Sequence, residues 1–192
     1  MSRILVILGS PDAQSFNAAI FDAYVSHLDR QRHEVQTLNL GEMRFDPVMR
    51  YGYRQRMTPD AEIERSQELV RWAEKIVFIY PIWWASMPSL LKGWLDRVLT
   101  PGFAYNMQGV TTVKHLTGRT AELFLTCDAP AFYYRWITPT PVRLMRKHIL
   151  GLCGIDTRQV HIFGKARETS DEERKKWLNR VAQWAREAAQ PA

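Results

Sequence analysis

A short apolar run from Ile76 to Tyr80 is the feature that most constrains the fold of this chain. Pro81 ends the run, and two tryptophans, Trp83 and Trp84, follow almost at once. A strand that is buried on both faces has this pattern, because helices cover both sides of a parallel sheet. Ligands bind beyond the carboxyl ends of such strands, so we expect a binding site to begin at Pro81.

Segments typical of strands and of helices alternate along the whole chain. Five strands are predicted, at residues 4–8, 35–40, 76–80, 121–126 and about 159–163, and those at 4–8 and 76–80 are uninterrupted apolar runs. Helical spacing predicts intervening helices, among them 89–99, 142–152 and a last one that is capped by Ser170 and buries Trp177, Val181 and Trp184. This alternation predicts an α/β fold with a doubly wound, five-stranded parallel sheet.

The length and composition fit a single globular domain, and we take residues 1–192 as one unit. A connection without clean periodicity runs from Gly41 to Pro59, and long connections of this kind are often functional. Two cysteines, Cys127 and Cys153, are too few for a disulfide framework and fit a reducing compartment. We therefore expect a cytoplasmic protein.

The net charge of +6 attracts anions, but the basic residues are dispersed along the chain. No helix-turn-helix, zinc-ligand or RNA-binding signature accompanies them. No apolar run approaches the roughly 18 residues of a membrane span. The sequence therefore predicts neither a nucleic-acid partner nor stable membrane association.

The loop after the first strand, Gly9 to Asn17, is rich in hydroxyl and amide side chains. It lacks the glycine spacing of a Rossmann turn and of a phosphate-binding P-loop. It does lead into a helix, where free N–H groups and the helix dipole attract anions. Ser10, Ser15 and Asn17 are candidate phosphate donors, although Ser15 also has the position of a helix cap.

The turn after the third strand is the second candidate, and it comprises Pro81, Ile82, Trp83, Trp84 and Ala85. Its backbone N–H groups can face a planar heterocycle while an indole packs beside that ring. Because adjacent side chains point in different directions, we expect one tryptophan to fill the core instead.

The third candidate is the end of the fourth strand, Thr126-Cys127-Asp128, with Tyr133 and Tyr134 shortly after it. In a doubly wound sheet, this loop meets the loops after the first and third strands at one edge. No second cysteine or flanking cation activates Cys127, so we expect an unreactive thiol. We also predict no metal site, because the histidines lack ligand spacing.

Three segments resemble the flavodoxin-like NAD(P)H:quinone oxidoreductases. They are ILVILGSPDAQSFNAA at 4–19, FDP at 45–47, and 79–105 with its P-x-x-W…P-x-x-L-K-G-W-x-D-R-V…F-A-Y pattern. The resemblance implies a two-electron transfer of hydride from NAD(P)H, through a bound flavin, to quinones or similar electrophiles by a ping-pong mechanism. FAD is expected rather than FMN, from Phe103-Ala104-Tyr105 and the long connection.

The resemblance also implies roles for individual residues. Ser15, Phe16 and Asn17 match the segment that binds the flavin phosphates, residues 81–85 match the wall of the flavin ring, and Thr126 matches the next loop. A homodimer is implied in which Tyr105 reaches the partner's site and 92–94 lies near the interface. Trp84, Tyr105 and Tyr133 are the expected substrate contacts, and Tyr134 matches a tyrosine with a proposed role in charge relay.

Two departures from the family pattern are evident. Ser10 stands where many relatives have a histidine, and Cys127-Asp128-Ala129 replaces a glycine-containing loop. The stretch up to Thr140 has no histidine to accompany Tyr134. Two other functions remain open from the sequence: an ancillary flavoprotein subunit of a transporter, and a one-electron carrier of the flavodoxin type.

Overall fold

The computed structural model describes residues 1–55, 57–58 and 60–188. Its central sheet is formed by five parallel strands: β1 (Ser2–Leu8), β2 (His33–Asn39), β3 (Lys75–Pro81), β6 (Thr120–Thr126) and β7 (Asp156–Phe163). Their order in the sheet is β2-β1-β3-β6-β7. The predicted doubly wound sheet is confirmed, and each predicted strand lies in its place with its ends shifted by three residues or fewer.

Helices cover both faces of the sheet. One face packs against α1 (Phe16–His27) and α6 (Asp171–Arg186), and the other packs against α2 (Ala61–Trp72) and α3 (Ser89–Val98). The inner strands are apolar on both faces for this reason, and residues Ile4 to Ile7 of β1 are completely buried.

Local signals explain where these helices begin. The side chains of Ser15, Asp60 and Ser170 each accept a hydrogen bond from a backbone N–H in the first turn of α1, α2 and α6. The cap expected at Ser170 is thus confirmed. Val181 of α6 is fully buried, whereas Trp177 and Trp184 are only partly buried because they lie towards the open side of edge strand β7.

The region from 133 to 153 differs from the single regular helix expected at 142–152. A π-helical turn at Tyr133–Ile137 is followed by α4 (Thr140–Arg143), a second π-helical stretch at Leu144–Leu150, and α5 (Gly151–Cys153). π-helical turns are frequently found at functional sites. A hairpin formed by β4 (Tyr105–Gln108) and β5 (Thr111–Lys114) was not predicted at all.

The long connection packs against α3 at a position that only glycine can occupy. A Cβ on Gly93 would collide with Pro47, and Arg97 of α3 donates a hydrogen bond of 2.5 Å to the carbonyl oxygen of Asp46. Trp94 is fully buried and donates from Nε1 to Ser66 Oγ at 3.1 Å. Trp94 is therefore a core residue of α3. The end of this connection at Pro59 lies outside the described residues.

A buried charge cluster lies between the sheet and α1. The Glu122 side chain is 2 % exposed and contacts Lys75 Nζ at 2.7 Å, His161 Nε2 at 2.9 Å and the Tyr24 hydroxyl at 3.0 Å. Burial by itself raises the pKa of the Glu122 carboxyl. The hydrogen bond with His161 and the ammonium of Lys75 outweigh that effect, so the pKa lies below its ordinary value of 4.5.

Replacement of Glu122 by Gln is expected to lower the free energy of unfolding by about 3–5 kcal/mol, because Lys75 loses its buried counter-ion. Wild-type stability should be fully developed above the unfolded-state pKa and should fall as the pH decreases through the lower folded-state pKa. Urea unfolding followed by circular dichroism between pH 7 and pH 3 measures both effects.

Glu74→Gln is the matched control, because Glu74 forms a half-exposed pair with Arg3. Its effect should not exceed about 1 kcal/mol. Equal losses of unfolding free energy in the two variants would show that the burial of Glu122 is not the cause of its larger expected effect.

Candidate active site

Three loops meet at the carboxyl edge of the sheet. Pro81 at the end of β3 is in register with Thr126 at the end of β6, and Ile82 N donates to Thr126 O at 2.7 Å. On the other side of β3, Gly9 N donates to Ile79 O at 2.8 Å. The three segments identified from the sequence therefore lie next to one another.

The first loop is held by its own hydroxyl groups. The Ser15 hydroxyl accepts from Ala18 N at 3.2 Å and lies 3.1 Å from the hydroxyl of Ser10, which is buried. Asp12 also accepts a hydrogen bond from Gln14 N at 2.9 Å. Ser10 and Ser15 thus shape the loop, while the N–H groups of Phe16 and Asn17 find no partner among the described residues.

Asn17 connects the first loop to the third. Its side-chain amide donates to the Thr126 hydroxyl at 3.0 Å, and both residues are buried. This bond joins the start of α1 to the end of β6. Asn17 thus positions the loop through its side chain, and only its backbone N–H is free for an anion.

The tryptophans occupy a strained two-residue turn. Trp83 and Ser86 exchange backbone hydrogen bonds of 3.0 and 2.9 Å, while Trp84 and Ala85 have φ angles of 50° and 53°. A turn with two left-handed central residues is usually built from Asn and Gly, because each other residue costs about 1–2 kcal/mol there. Such strain concentrates at functional sites.

The side chains of both tryptophans face solvent. Trp83 is 48 % exposed and Trp84 is fully exposed. The expectation that one of them fills the core is therefore wrong, and Ile82 and Met87 are buried beside them instead. The N–H groups of Trp84 and Ala85 find no partner among the described residues.

In the third loop, Cys127 is held in a buried position in which its thiol is unreactive. Its backbone N–H donates to Phe163 O at 3.0 Å, and its thiol lies 3.2 Å from Ala129 O. Burial, together with Asp128, raises the pKa of the Cys127 thiol to about 11. The Asp128 carboxylate is exposed and pairs with Arg167 at 3.5 Å, which directs it towards the loop after β7.

An aromatic cluster follows this loop. The rings of Tyr133 and Tyr134 are in edge-to-face contact at 5.2 Å, and Tyr134 packs against the core. Desolvation raises the pKa of the Tyr134 hydroxyl. Phe132, Trp136 and Ile137 are exposed on the same segment, and their spacing in the sequence matches no motif.

Tyr105 lies apart from these loops, at the start of the β4–β5 hairpin. Its ring is half-buried against the core, and burial, followed by the neighbouring Tyr53 hydroxyl, raises the pKa of Tyr105. Within this chain, Tyr105 does not join the three loops at the carboxyl edge. Its predicted role in a site therefore requires a second copy of the chain.

Two clefts are present away from the tryptophan turn. One of about 770 Å³ lies between the long connection, α2 and α3, and includes Tyr53, Asp60 and Arg97. The other, of about 450 Å³, lies beside β7 and α6. Among residues 1–55, 57–58 and 60–188, no cluster of His, Cys, Asp or Glu is suited to hold a metal ion.

Comparison with known proteins places this architecture in a family. The family model described as "Flavodoxin-like fold" matches residues 2–185. The chain belongs to the flavodoxin-like family. Among its relatives, the human ribosyldihydronicotinamide dehydrogenase [quinone] is 29 % identical over 212 residues, which cover 95 % of this chain and 89 % of the relative.

Solved structures agree with this flavodoxin-like assignment. Smu.1420 from Streptococcus mutans superposes with a TM-score of 0.83 and 33 % identity, over 96 % of this chain and 99 % of that one. An FMN-dependent NADH-azoreductase from Bacillus anthracis in complex with FMN gives a TM-score of 0.74 at 16 % identity, covering 99 % and 100 % of the two chains. The second likeness concerns the fold alone.

The donors and surfaces at the carboxyl edge fit a flavin. The free N–H groups of Phe16 and Asn17 suit a phosphate at a helix N-terminus. Beside them, the Trp84–Ala85 turn offers two free N–H groups and an exposed indole to a planar ring. A polar tail and a flat heterocycle can both be held at this edge.

Replacement of Trp84 by Gly should separate stability from flavin binding. Glycine removes the strain of the left-handed backbone conformation, but it increases the entropic cost of folding by about 0.5–1 kcal/mol. The flavin-free variant should therefore be as stable as the wild type or up to about 1 kcal/mol more stable. Flavin affinity should fall about tenfold or more with loss of the indole. Chemical denaturation and fluorescence titration with flavin measure the two quantities.

Trp136→Ala is the control, because Trp136 is 77 % exposed on the neighbouring segment. This variant should retain wild-type flavin affinity. If Trp84→Gly bound flavin as tightly as the control, the assignment of the turn would be wrong.

Proposed function

We propose that residues 1–192 act as one flavin-binding domain that catalyses two-electron reduction of quinones, or of similar electrophiles, by NAD(P)H. The strained Trp84–Ala85 turn carries this proposal, because its free N–H groups and exposed indole adjoin the anion-binding start of α1. The named activity of the human relative, which this chain matches over nearly its whole length, supports the same reaction.

Individual residues are assigned as follows. The backbone of Phe16 and Asn17 would bind the flavin phosphate, while Ser10, Ser15 and Thr126 maintain the shape of the loops. The 81–85 segment would form the wall of the flavin ring. A bound flavin would supply the hydride chemistry, and the protein residues would orient the reactants and exclude water.

The aromatic side chains at the mouth of the site suit a flat acceptor. Trp84 and Tyr133 are exposed on neighbouring loops, so a quinone ring can pack between aromatic surfaces there. A tyrosine hydroxyl is protonated at neutral pH, and desolvation raises the pKa of Tyr134 further, so this hydroxyl is a candidate hydrogen-bond donor to a quinone oxygen. Asp128 is turned towards Arg167, and the Cys127 side chain is buried in the core.

We further infer a cytoplasmic homodimer that uses FAD. Tyr53, Met107 and Val110 are exposed large side chains around the long connection and the hairpin that begins at Tyr105. A second copy that covered them would bring Tyr105 near its neighbour's site, and would bury apolar surface that is now solvated. In the described part of the chain, no helix has the length and apolar character of a membrane span.

The decisive experiment identifies the cofactor and the reaction together. The purified protein is denatured, the released flavin is identified by chromatography, and the intact protein is assayed with NADH or NADPH and menadione. We expect stoichiometric FAD and parallel double-reciprocal plots, which are the signature of a ping-pong mechanism. Absence of flavin, together with failure to bind added FAD or FMN, would overturn the proposal.

Reductive titration distinguishes the alternatives. A quinone reductase should pass directly to the two-electron reduced flavin, whereas a flavodoxin-type carrier should accumulate a stable blue one-electron form. Sedimentation velocity should give a dimer, and a monomer at micromolar concentration would contradict the placement of Tyr105.

Cys127→Ala should leave kcat and KM unchanged within about twofold, because a thiol with a pKa of about 11 stays neutral and unreactive at pH 7. Steady-state kinetics with menadione measure this. Loss of turnover with intact flavin content would show that the thiol takes part in the reaction.

A further inference from the structure

The cleft of about 450 Å³ beside β7 lies outside the site described above, and we call it the edge cleft. Its floor consists of the rings of His161 and Phe163 from β7 and of Trp177 and Trp184 from α6. The ring centroids of His161 and Trp184 are 3.8 Å apart in a stacked arrangement, and those of Phe163 and Trp177 are 5.3 Å apart. The floor is therefore aromatic, and because Phe163 is buried, the partly exposed indoles of Trp177 and Trp184 supply most of its accessible surface.

Three cations surround this surface, namely Arg135, Lys165 and Arg180. No acidic residue lines the edge cleft, and none of the three cations has an ion-pair partner among the described residues. The Arg180 guanidinium lies 5.1 Å from the ring centroid of Trp184, so stacking orients it while its N–H groups stay available. Uncompensated positive charge around a concave surface attracts a multiply charged anion.

The edge cleft and the flavin site share one wall, the segment 127–131. Lys165 N donates to Ala129 O at 3.0 Å, Ala166 N donates to Cys127 O at 3.0 Å, and a Cβ on Gly164 would collide with the backbone N of Ala131. The loop after β7 is thus packed tightly against the loop after β6. A ligand long enough to cross this segment can occupy both sites.

Lys165 is held in an unusual backbone conformation by the same contacts. Its φ angle is 54°, in a region that side-chain-bearing residues rarely adopt, and its carbonyl accepts from Thr169 Oγ1 at 2.7 Å. Strain of this kind persists where the surroundings over-determine the backbone, often at ligand-binding positions. Here the conformation accompanies a lysine that lines the rim of the edge cleft.

We propose that the edge cleft binds the phosphorylated adenosine end of the nicotinamide donor and thereby favours NADPH over NADH. A purine ring packs on the aromatic floor, and Arg135, Lys165 and Arg180 bind phosphate oxygens. This choice of ligand rests on the proposed function, because only an NAD(P)H-dependent reaction needs such a donor. The 2′-phosphate supplies the additional negative charge that distinguishes the two donors.

The test uses 2′,5′-ADP as a probe of the oxidised, flavin-loaded protein. Isothermal titration should detect binding to the wild type, and the double variant Arg135→Gln/Lys165→Gln should bind it about 100-fold more weakly, about tenfold for each lost phosphate contact. The same variant should raise KM for NADPH by at least tenfold, while kcat and KM for menadione remain unchanged.

Lys175→Gln/Arg186→Gln is the matched control, since it removes one lysine and one arginine from exposed positions of α6. It should bind the probe and NADPH as the wild type does. Equal weakening in both double variants would indicate a general charge effect and would overturn the proposal.

Other outcomes are equally decisive. If the wild-type protein does not bind 2′,5′-ADP, or if the cleft variant binds it normally, the edge cleft is not the proposed nucleotide site. Loss of flavin from the cleft variant would show that the edge cleft binds the adenosine of FAD, and would contradict its proposed role in binding NADPH. If the wild type binds the probe through these cations but oxidises neither NADH nor NADPH with menadione, the proposed function fails and the nucleotide site stands.

Discussion

The parallel pairing of β1, β3 and β6 is the constraint on which the candidate active site depends. It places the ends of three strands at one edge, with Pro81 in register beside Thr126. The Asn17–Thr126 hydrogen bond then joins loops that are 109 residues apart in sequence. Because these contacts are buried, the loops can hold a strained turn at Trp84 without losing their mutual position.

Charge has two distinct uses in this protein. Between the sheet and α1, the charge of the buried Glu122 carboxylate is balanced by Lys75 and hydrogen-bonded by His161. This cluster stabilises the fold, and its charges are unavailable to a ligand. Beyond the edge strand, Arg135, Lys165 and Arg180 surround an aromatic cleft whose described lining includes no acidic residue. His161 belongs to both the Glu122 cluster and the edge cleft, since its ring stacks on Trp184 while its Nε2 contacts Glu122.

The sequence predicted regular elements well and their irregular neighbours poorly. The inner strands β1 and β3 were predicted from continuous apolar runs such as Ile76–Tyr80, which are typical of strands buried on both faces. The edge strands β2 and β7 contain polar residues, and their predicted positions rested on the alternation of strands with helices. The β4–β5 hairpin was missed because its strands have four residues each, with mostly exposed side chains and no alternating pattern. The π-helical turns were missed because their hydrogen-bond pattern has no residue-type signature.

By itself, the sequence determined the fold, the three loops at the carboxyl edge and the resemblance to a family, because periodicity, loop position and motif spacing are local properties of a chain. Only the tertiary structure decided which aromatic and charged side chains are exposed and can bind a ligand. It left both Trp83 and Trp84 exposed, since burial depends on which other elements cover a side chain. It also brought Arg135, Lys165 and Arg180 around one cleft, which no spacing in the sequence records.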